Sequence, residues 1–314
     1  MKPLTNRKIP RQMLGAALLL LIGLVSPHSA MAFTGQDPSI YEYKDTRNLV
    51  AMVNQAAELF AQKGEEAHKE FSQRGSRWLR GERYIFIYDL NGVCVFHPEN
   101  PQLVGKNLSD LKDVLGKPLI QWILEIAANR SKPYGWVHYL WPAPNTLFPL
   151  WKSTYIVGVR SPEGKLYALG SGLYNMRPEK RFIVDLVDGA ADLIDRKGEA
   201  AFSALRDMAD RYNLFGTHVY VFSVSGELKV DPAFPPGEER NALDYKDAVG
   251  RYFIRDAIEG VKEKETTWIM YMWPKPGDAT PSKKLMYTRR VQVGDETYLV
   301  GSDMYLSHPI WLHF

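Results

Sequence analysis

Aromatic and polar side chains alternate along residues 84–98. Tyr84, Phe86 and Tyr88 are separated by single isoleucines, and His97 follows after a turn signal. Aromatic rings supply apolar walls, whereas tyrosine hydroxyls and an imidazole supply a few directed hydrogen bonds. Side chains of these types on one face of a sheet can line a pocket for a small molecule.

A β-hairpin would place these side chains on one face. Alternating apolar runs flank Asn91-Gly92, a dipeptide typical of a two-residue turn in which both residues have positive φ. In the register of such a hairpin, Phe86 lies opposite His97. Tyr88 then lies opposite Val95. The other face, which is expected to pack against a helix, carries Ile85, Ile87, Cys94 and Phe96.

The same pattern occurs a second time. Residues 218–232 match the first copy at a constant offset of 134 residues, the difference between 218 and 84. The offset also relates Lys63-Gly64-Glu65 to Lys197-Gly198-Glu199. The duplication extends through nearly the whole chain after residue 32, and it predicts two copies of one domain.

Each copy is predicted to contain a long amphipathic helix followed by an antiparallel sheet. In the first copy, apolar residues recur at helical spacing from Leu49 to Phe71, and this helix is expected to end near Gly75. A shorter helix is expected over residues 117–129. Strands are predicted over residues 134–142, 152–159 and 165–174. This order of elements defines an α+β fold.

The N-terminal residues differ in composition from the rest. Four basic residues precede an apolar run over residues 13–25, and Ala30-Met31-Ala32 supplies the small residues of a cleavage site. Residues 1–32 are therefore predicted to be a signal peptide, followed by module 1 at 33–176 and module 2 at 177–314. Cleavage would remove four of the 39 basic residues and none of the 36 acidic ones, so the net charge of the mature chain would be −1. We expect a periplasmic or secreted protein that binds no nucleic acid and has no membrane span.

The sequence contains no arrangement typical of catalysis or of metal binding. HExxH, paired CxxC and GxSxG motifs are absent, and the seven histidines are scattered. The single cysteine, Cys94, falls in a strand pattern and is expected to be buried. We therefore predict a protein that is not an enzyme and that holds no cofactor or metal.

Long ordered motifs resemble the Cache family of extracellular sensor domains, in particular its type-2 single module. They are YIFIYDLNGVCVFHPENPQLVGKNLSDLKD, GWVHYLWPAP and KSTYIVGV in the first copy, with WPKPG and KLMYTRRV in the second. The resemblance implies a PAS-like fold, with a long N-terminal helix on one face of an antiparallel sheet and a small-molecule pocket on the other. It also implies ligands such as short carboxylates or amino acids. Because each copy brings its own helix, two tandem single modules are favoured over one double module.

The resemblance adds four candidate residues to the first pocket. They are Tyr139, Trp141, Lys152 and Tyr155, beside Tyr84, Phe86, Tyr88 and His97 from the hairpin. A short-chain 2-oxo or 2-hydroxy acid could bind there, with Lys152 and His97 facing its carboxylate. Alternatively, His97 caps the end of the hairpin and never meets a ligand. Regular alternation puts Lys152 and Tyr155 on opposite faces, so both line the pocket only if Lys152 lies on the preceding loop.

The second copy carries the corresponding residues with one change of charge. They are His218, Tyr220, Phe222, Asp231, Tyr271, Trp273, Lys284 and Tyr287. Asp231 occupies the position of His97, and an acidic group there disfavours an anion. The second pocket is therefore expected either to take a ligand that bears an amine or to bind nothing.

These observations favour an exported, non-catalytic protein that binds a small-molecule metabolite. The alternative is a periplasmic interaction module that acts on a membrane receptor or sensor kinase, with pockets that are only structural. Partner binding that does not depend on any metabolite would favour the second function.

Overall fold

The computed structural model describes residues 35–143, 146–207, 211–214, 217–232 and 241–306. The predicted signal peptide lies outside the described residues and stays a prediction. Within the described part, no helix combines the length and the apolar character that a membrane span requires.

The first module contains three helices and seven strands in its described part. The helices are α1 (Lys44–Lys63), α2 (His68–Phe71) and α3 (Leu119–Ala128). The strands are β1 (Leu79–Arg80), β2 (Arg83–Tyr84), β3 (Phe86–Asp89), β4 (Cys94–Phe96), β5 (Tyr134–Trp141), β6 (Leu150–Arg160) and β7 (Leu166–Tyr174). β1 pairs with β2, and the other five strands form an antiparallel sheet in the order β4-β3-β7-β6-β5.

The second module repeats this arrangement. Its described helices are α4 (Lys180–Lys197), α5 (Ala200–Asp207) and α6 (Phe253–Gly260). Its described strands are β8 (Asn213–Leu214), β9 (Thr217–His218), β10 (Tyr220–Ser223), β11 (Leu228–Val230), β12 (Thr266–Pro274), β13 (Pro281–Val293) and β14 (Glu296–Tyr305). The sheet order, β11-β10-β14-β13-β12, is that of the first module. The predicted α+β fold with a duplicated antiparallel sheet is confirmed, whereas the module boundaries at 33–176 and 177–314 stay predictions.

Each face of the first sheet packs against a different helix. α1 lies on β6 and β7 and buries Leu49, Val53 and Phe60, and we call this side the helix face. α3 covers part of the other side with Ile120 and Ile123, and we call that side the pocket face. Tyr84, Phe86 and Tyr88 all pack on the pocket face, as alternation along the strands predicts.

The long helix of the first module ends earlier than the sequence predicts. α1 stops at Lys63 because Gly64 adopts a φ of 55°, and a 3-10 turn over Gly64–Ala67 precedes α2. Gly198 ends α4 in the same way, with a φ of 59°. Glycine tolerates positive φ without the steric penalty of a Cβ atom, so the chain can change direction between two helical segments.

The turn of the first hairpin differs from the two-residue turn predicted. The Asp89 amide donates to the Val93 carbonyl at 2.9 Å, and the Gly92 amide donates to the Asp89 carbonyl at 3.0 Å, so the loop contains three residues. Only Gly92 has positive φ in this loop, at 84°. The Asp89 carboxylate accepts from the amides of Asn91 and Val93, each at 3.0 Å, and thereby stabilises the longer turn.

The longer turn shifts the register of the hairpin. Tyr88 pairs with Cys94 instead of Val95, and a bulge restores the predicted register at the next residue pair. The predicted faces of Cys94 and Val95 were therefore wrong, since Cys94 packs on the pocket face. Because the bulge compensates for the turn, His97 still lies beside Phe86, with ring centroids 6.4 Å apart.

A buried carboxylate ties the loop before α3 to the sheet. Asp113 Oδ1 accepts from the amides of Leu115 and Lys117 at 2.8 and 3.0 Å, and Oδ2 accepts from the Leu140 amide at 2.9 Å. Asp247 makes the three equivalent bonds in the second module. These bonds fix the connection that leads into the helix of the pocket face.

Candidate functional site

A buried lysine, Lys152, lies on the pocket face of the first sheet. β6 places Lys152 on the pocket face, where the residue is 1% exposed. Its Nζ donates to the Tyr84 hydroxyl at 2.7 Å and lies 4.5 and 5.0 Å from the ring centroids of Tyr84 and Tyr174. Among the described residues, no carboxylate is an ion-pair partner of Lys152. Burial lowers the pKa of Lys152 to about 7, and the more distant Glu82 carboxylate opposes this shift.

His97 lies beside this lysine as an uncharged group. Its Nδ1 accepts a hydrogen bond from the Asn100 amide at 3.0 Å, which assigns the proton of the neutral ring to Nε2. Burial, and after it the positive charge of Lys152, lowers the pKa of His97 to about 4. The ring centroid lies 4.8 Å from that of Tyr84. His97 thus caps the loop through one nitrogen and carries a donor on the other.

Aromatic rings pack beside the lysine on the pocket face. The Tyr139 hydroxyl bonds with the Thr154 hydroxyl at 2.9 Å, and its ring meets Trp141 edge to face with centroids 5.9 Å apart. The ring centroids of Phe86 and Tyr88 lie 5.4 Å apart on β3.

A cavity of about 450 Å³ borders the lysine cluster. Its walls include Glu82, Tyr84, Glu99, Trp141 and Tyr174. Two of the residues predicted for this site, Tyr84 and Trp141, line the cavity, whereas Lys152 and His97 are not among its lining residues and lie behind Tyr84. Glu99 pairs with Arg74 at 3.2 Å, which partly offsets the negative charge at this end of the pocket. The volume is in the range typical of small-molecule sites.

Tyr155 and Tyr287 lie on the helix face of their sheets. Lys152 lies within β6, not on the preceding loop, so alternation carries Tyr155 to the side away from the pocket. There the Tyr155 hydroxyl accepts from the Gln36 amide at 2.9 Å, and its ring packs 5.3 Å from Trp136. Tyr287 belongs to the same helix-side core. The structure therefore brings neither tyrosine together with the lysine of its module.

The second module also contains a pocket. Its cavity of about 200 Å³ is lined by seven of the eight residues predicted for this module, which are His218, Tyr220, Phe222, Asp231, Tyr271, Trp273 and Lys284. His218 Nε2 lies 2.8 Å from Asp231 Oδ1. The hydroxyls of Tyr220 and Tyr245 are buried here without a hydrogen-bond partner among the described residues. The smaller cavity therefore combines a His–Asp pair with two unsatisfied hydroxyls.

Asp303, an acidic residue that lines the second pocket, is not among the residues predicted from the sequence. Its Oδ1 lies 2.7 Å from Lys284 Nζ and accepts from the Thr217 hydroxyl at 3.0 Å. Its Oδ2 accepts from the Tyr271 hydroxyl at 2.6 Å. The signal was present in the aligned repeats, where GSGLY in the first copy becomes GSDMY in the second, with Gly172 replaced by Asp303.

The two pockets differ in charge. The first pairs a buried lysine with a phenol, and the second pairs the equivalent lysine with a carboxylate. In the part of the chain that the structure describes, no three histidine, cysteine, aspartate or glutamate side chains are grouped to hold a metal ion. The first pocket face therefore carries an amine beside neutral hydroxyl and imidazole groups.

Comparison with protein families identifies both repeats. The Cache domain model matches residues 46–158 and again residues 197–308. The chain therefore belongs to the Cache domain family, and it carries two such regions in tandem.

Several relatives are chemotaxis proteins. The methyl-accepting chemotaxis protein McpP of Pseudomonas putida is 32% identical over 107 residues, which are 34% of this chain and 19% of McpP. The chain thus matches about one fifth of the length of that relative. Among solved structures, a periplasmic sensor domain of a chemotaxis protein is 31% identical over 40% of this chain and 85% of its own, with a TM-score of 0.31. A Cache chemosensory domain described for its recognition of carboxylic acids is 31% identical over 40% of this chain and 75% of its own, with a TM-score of 0.30.

Proposed function

We propose that this chain is an exported, non-catalytic sensor protein whose first module binds a short carboxylate, such as a 2-oxo or 2-hydroxy acid. The observation that carries the proposal is the buried Lys152, which has a phenol but no carboxylate beside it among the described residues. An ammonium group buried without a counter-ion is unfavourable, and the lowered pKa of Lys152 expresses this cost. A ligand carboxylate would supply the missing charge.

Neighbouring side chains suit the rest of such a ligand. The Nε2–H of His97 and the Tyr84 hydroxyl are neutral donors next to Lys152, so they can share one carboxylate with it. A 2-oxo or 2-hydroxy oxygen could bond with the Tyr139–Thr154 hydroxyl pair. The aromatic walls then surround a short apolar end.

Membership in the Cache family supports a sensing role. The similarity to McpP covers 107 residues, which is less than the length of one module, and that relative is named as a chemotaxis protein. We propose that the loaded protein acts in the periplasm, or after secretion, on a membrane receptor or sensor kinase.

Titration calorimetry of the purified mature protein against acetate, propionate, pyruvate and lactate tests the proposal. We expect one site per chain for at least one acid. Lys152→Met should weaken binding about 10- to 100-fold, since hydrogen bonds to charged groups contribute about 1.5–3 kcal/mol. Lys106→Met, a change of an exposed lysine in the same module, is the matched control and should bind as the wild type does. Absence of heat with every acid, or equal affinity in Lys152→Met, would refute the proposal.

A further inference from the structure

Strand register shows which residues are equivalent around the two lysines. In the first sheet Lys152 pairs with Tyr174, and Thr154 pairs with Gly172. In the second sheet Lys284 pairs with Tyr305, and Met286 pairs with Asp303. Thr154 and Gly172 thus correspond to Met286 and Asp303, two residue pairs along the ladder from the lysine and therefore on the same face.

The polar group beside the lysine changes strand between the modules. In module 1 it is the Thr154 hydroxyl on β6, 2.9 Å from the Tyr139 hydroxyl. In module 2 it is the Asp303 carboxylate on β14, which accepts from the equivalent Tyr271 hydroxyl at 2.6 Å. The Asp303 carboxylate also lies 2.7 Å from Lys284 Nζ. It therefore takes the place of the Thr154 hydroxyl as the partner of the tyrosine and is at the same time the counter-ion of the lysine.

Module 1 has no room for this second arrangement. A Cβ atom built on Gly172 would lie 2.4 Å from the Thr154 hydroxyl, 2.8 Å from the Ser153 carbonyl oxygen and 3.1 Å from Lys152 Cε. A side chain at position 172 would therefore collide with Thr154 and reach toward the lysine. The Thr154–Gly172 pair excludes an internal carboxylate, whereas Met286 leaves the polar position to Asp303.

We propose that Asp303 is a built-in carboxylate that fills in module 2 the place which a ligand carboxylate takes in module 1. The exchange of Thr154 and Gly172 for Met286 and Asp303 then decides which module accepts a short acid. The module 1 half of this inference rests on the proposed function, whereas the module 2 half rests on the Lys284–Asp303 contact alone. The wild-type module 2 therefore does not bind short carboxylates.

Two effects keep a free acid out of module 2. The internal carboxylate is tethered to the sheet, so its effective concentration beside Lys284 far exceeds that of a dissolved metabolite. A displaced Asp303 would also remain inside a pocket that already contains Asp231, and two acidic groups would then face the incoming anion.

Reciprocal double variants test the exchange. Met286→Thr with Asp303→Gly should open module 2, and Thr154→Met with Gly172→Asp should close module 1. Calorimetry with the same four acids, acetate, propionate, pyruvate and lactate, should give one site in the wild type, two in the opened variant and none in the closed variant. Thermal unfolding of each variant verifies that it folds.

A third measurement separates this inference from the proposed function. The opened variant combined with Lys152→Met retains only the converted site, so acid binding there would support the inference whether or not the wild type binds. Asp303→Asn, which keeps the side-chain size and a bond with Tyr271, provides a milder form of the same change and should gain measurable acid binding if the double variant does not fold. A folded opened variant, or a folded Asp303→Asn protein, that gains no site would overturn the inference. So would a closed variant that binds acid as the wild type does. If the wild type binds no acid but the opened variant does, the proposed function of module 1 is wrong and the inference about Asp303 stands.

Discussion

Binding of a carboxylate to module 1 should weaken about tenfold for each pH unit above 7. Lys152 has a pKa of about 7 in the ligand-free protein because it is buried, so it loses its proton as the pH rises through neutrality. An anion binds the protonated lysine, and each further unit costs about 1.4 kcal/mol to restore that proton. Below pH 6 the lysine is fully charged, and the affinity should level off until the acid itself is protonated.

Other groups around the lysine keep one charge state across this window. His97 has a pKa of about 4 and stays neutral, and burial raises the pKa of Tyr174 to about 12. Burial also raises the pKa of Tyr84, so its hydroxyl keeps its proton. The pH dependence between 6 and 9 is therefore assigned to Lys152.

Calorimetry in two buffers with different ionisation enthalpies measures the protons taken up on binding. We expect close to none at pH 6 and close to one per acid at pH 9, with an affinity about 50-fold lower at pH 9 than at pH 7, where half of the lysine is protonated. Constant affinity with no proton uptake across this range would refute the assignment of a depressed pKa to the anion-binding group.

The same pKa shift predicts the opposite trend for the stability of the ligand-free protein. Because the folded pKa lies below the unfolded value of 10.5, the unfolded chain binds more protons between pH 7 and 10.5, and stability rises with pH across that window. The contribution of Lys152 to the free energy of unfolding should rise by roughly 2–3 kcal/mol from pH 6.5 to 9. Urea unfolding of wild type and Lys152→Met at both pH values isolates it, and an equal pH dependence in the two proteins would contradict the reasoning.

Three further substitutions test how the scaffold is held. Asp113→Ala removes three backbone hydrogen bonds and should lower the free energy of unfolding by about 2–4 kcal/mol in urea, whereas the exposed neighbour substitution Asp110→Ala should change it by less than about 0.5 kcal/mol. Glu179→Gln removes a carboxylate that accepts from the amides at the start of α1, at 2.8 and 3.0 Å, and should cost about 1 kcal/mol by thermal unfolding; no change would show that the charge is irrelevant to this cap. Gly92→Ala places a Cβ atom 3.0 Å from that of Ser109 and should destabilise more than Gly105→Ala, which has the same positive φ and open space around it; equal losses would show that only φ matters.

The sequence predicts the faces of the sheet well because alternation and the repeat are independent signals. Tyr84, Phe86 and Tyr88 lie on the pocket face that period-two alternation assigns to them. Asn91-Gly92 alone predicts a two-residue turn. This prediction is wrong because the Asp89 carboxylate accepts from two loop amides and stabilises a three-residue turn. An acidic residue at the first position of a turn is itself a turn signal, and it favours the longer loop.

Asp303 escaped prediction because its role depends on a neighbour across the sheet. A comparison of the repeats that looks for identical residues does not select the position at which Gly172 is replaced by Asp303. Register carries the missing information, since the pairing of β13 with β14 sets Asp303 opposite Met286, two residues along β13 from Lys284. A hairpin register computed around Gly294 would have placed the acid and the lysine on one face.

The equivalent lysines of the two modules differ in whether a carboxylate of the protein neutralises them. In module 2, Lys284 is neutralised by Asp303 at 2.7 Å, and this arrangement is complete without any ligand. In module 1, packing between Thr154 and Gly172 keeps an internal acid away from Lys152. Stability alone favours the first solution, because a buried charge without a partner costs several kcal/mol. We infer that module 1 retains the unfavourable one because an acid from solution, and no group of the scaffold, can then relieve it, which couples occupancy of the pocket to the stability of the module.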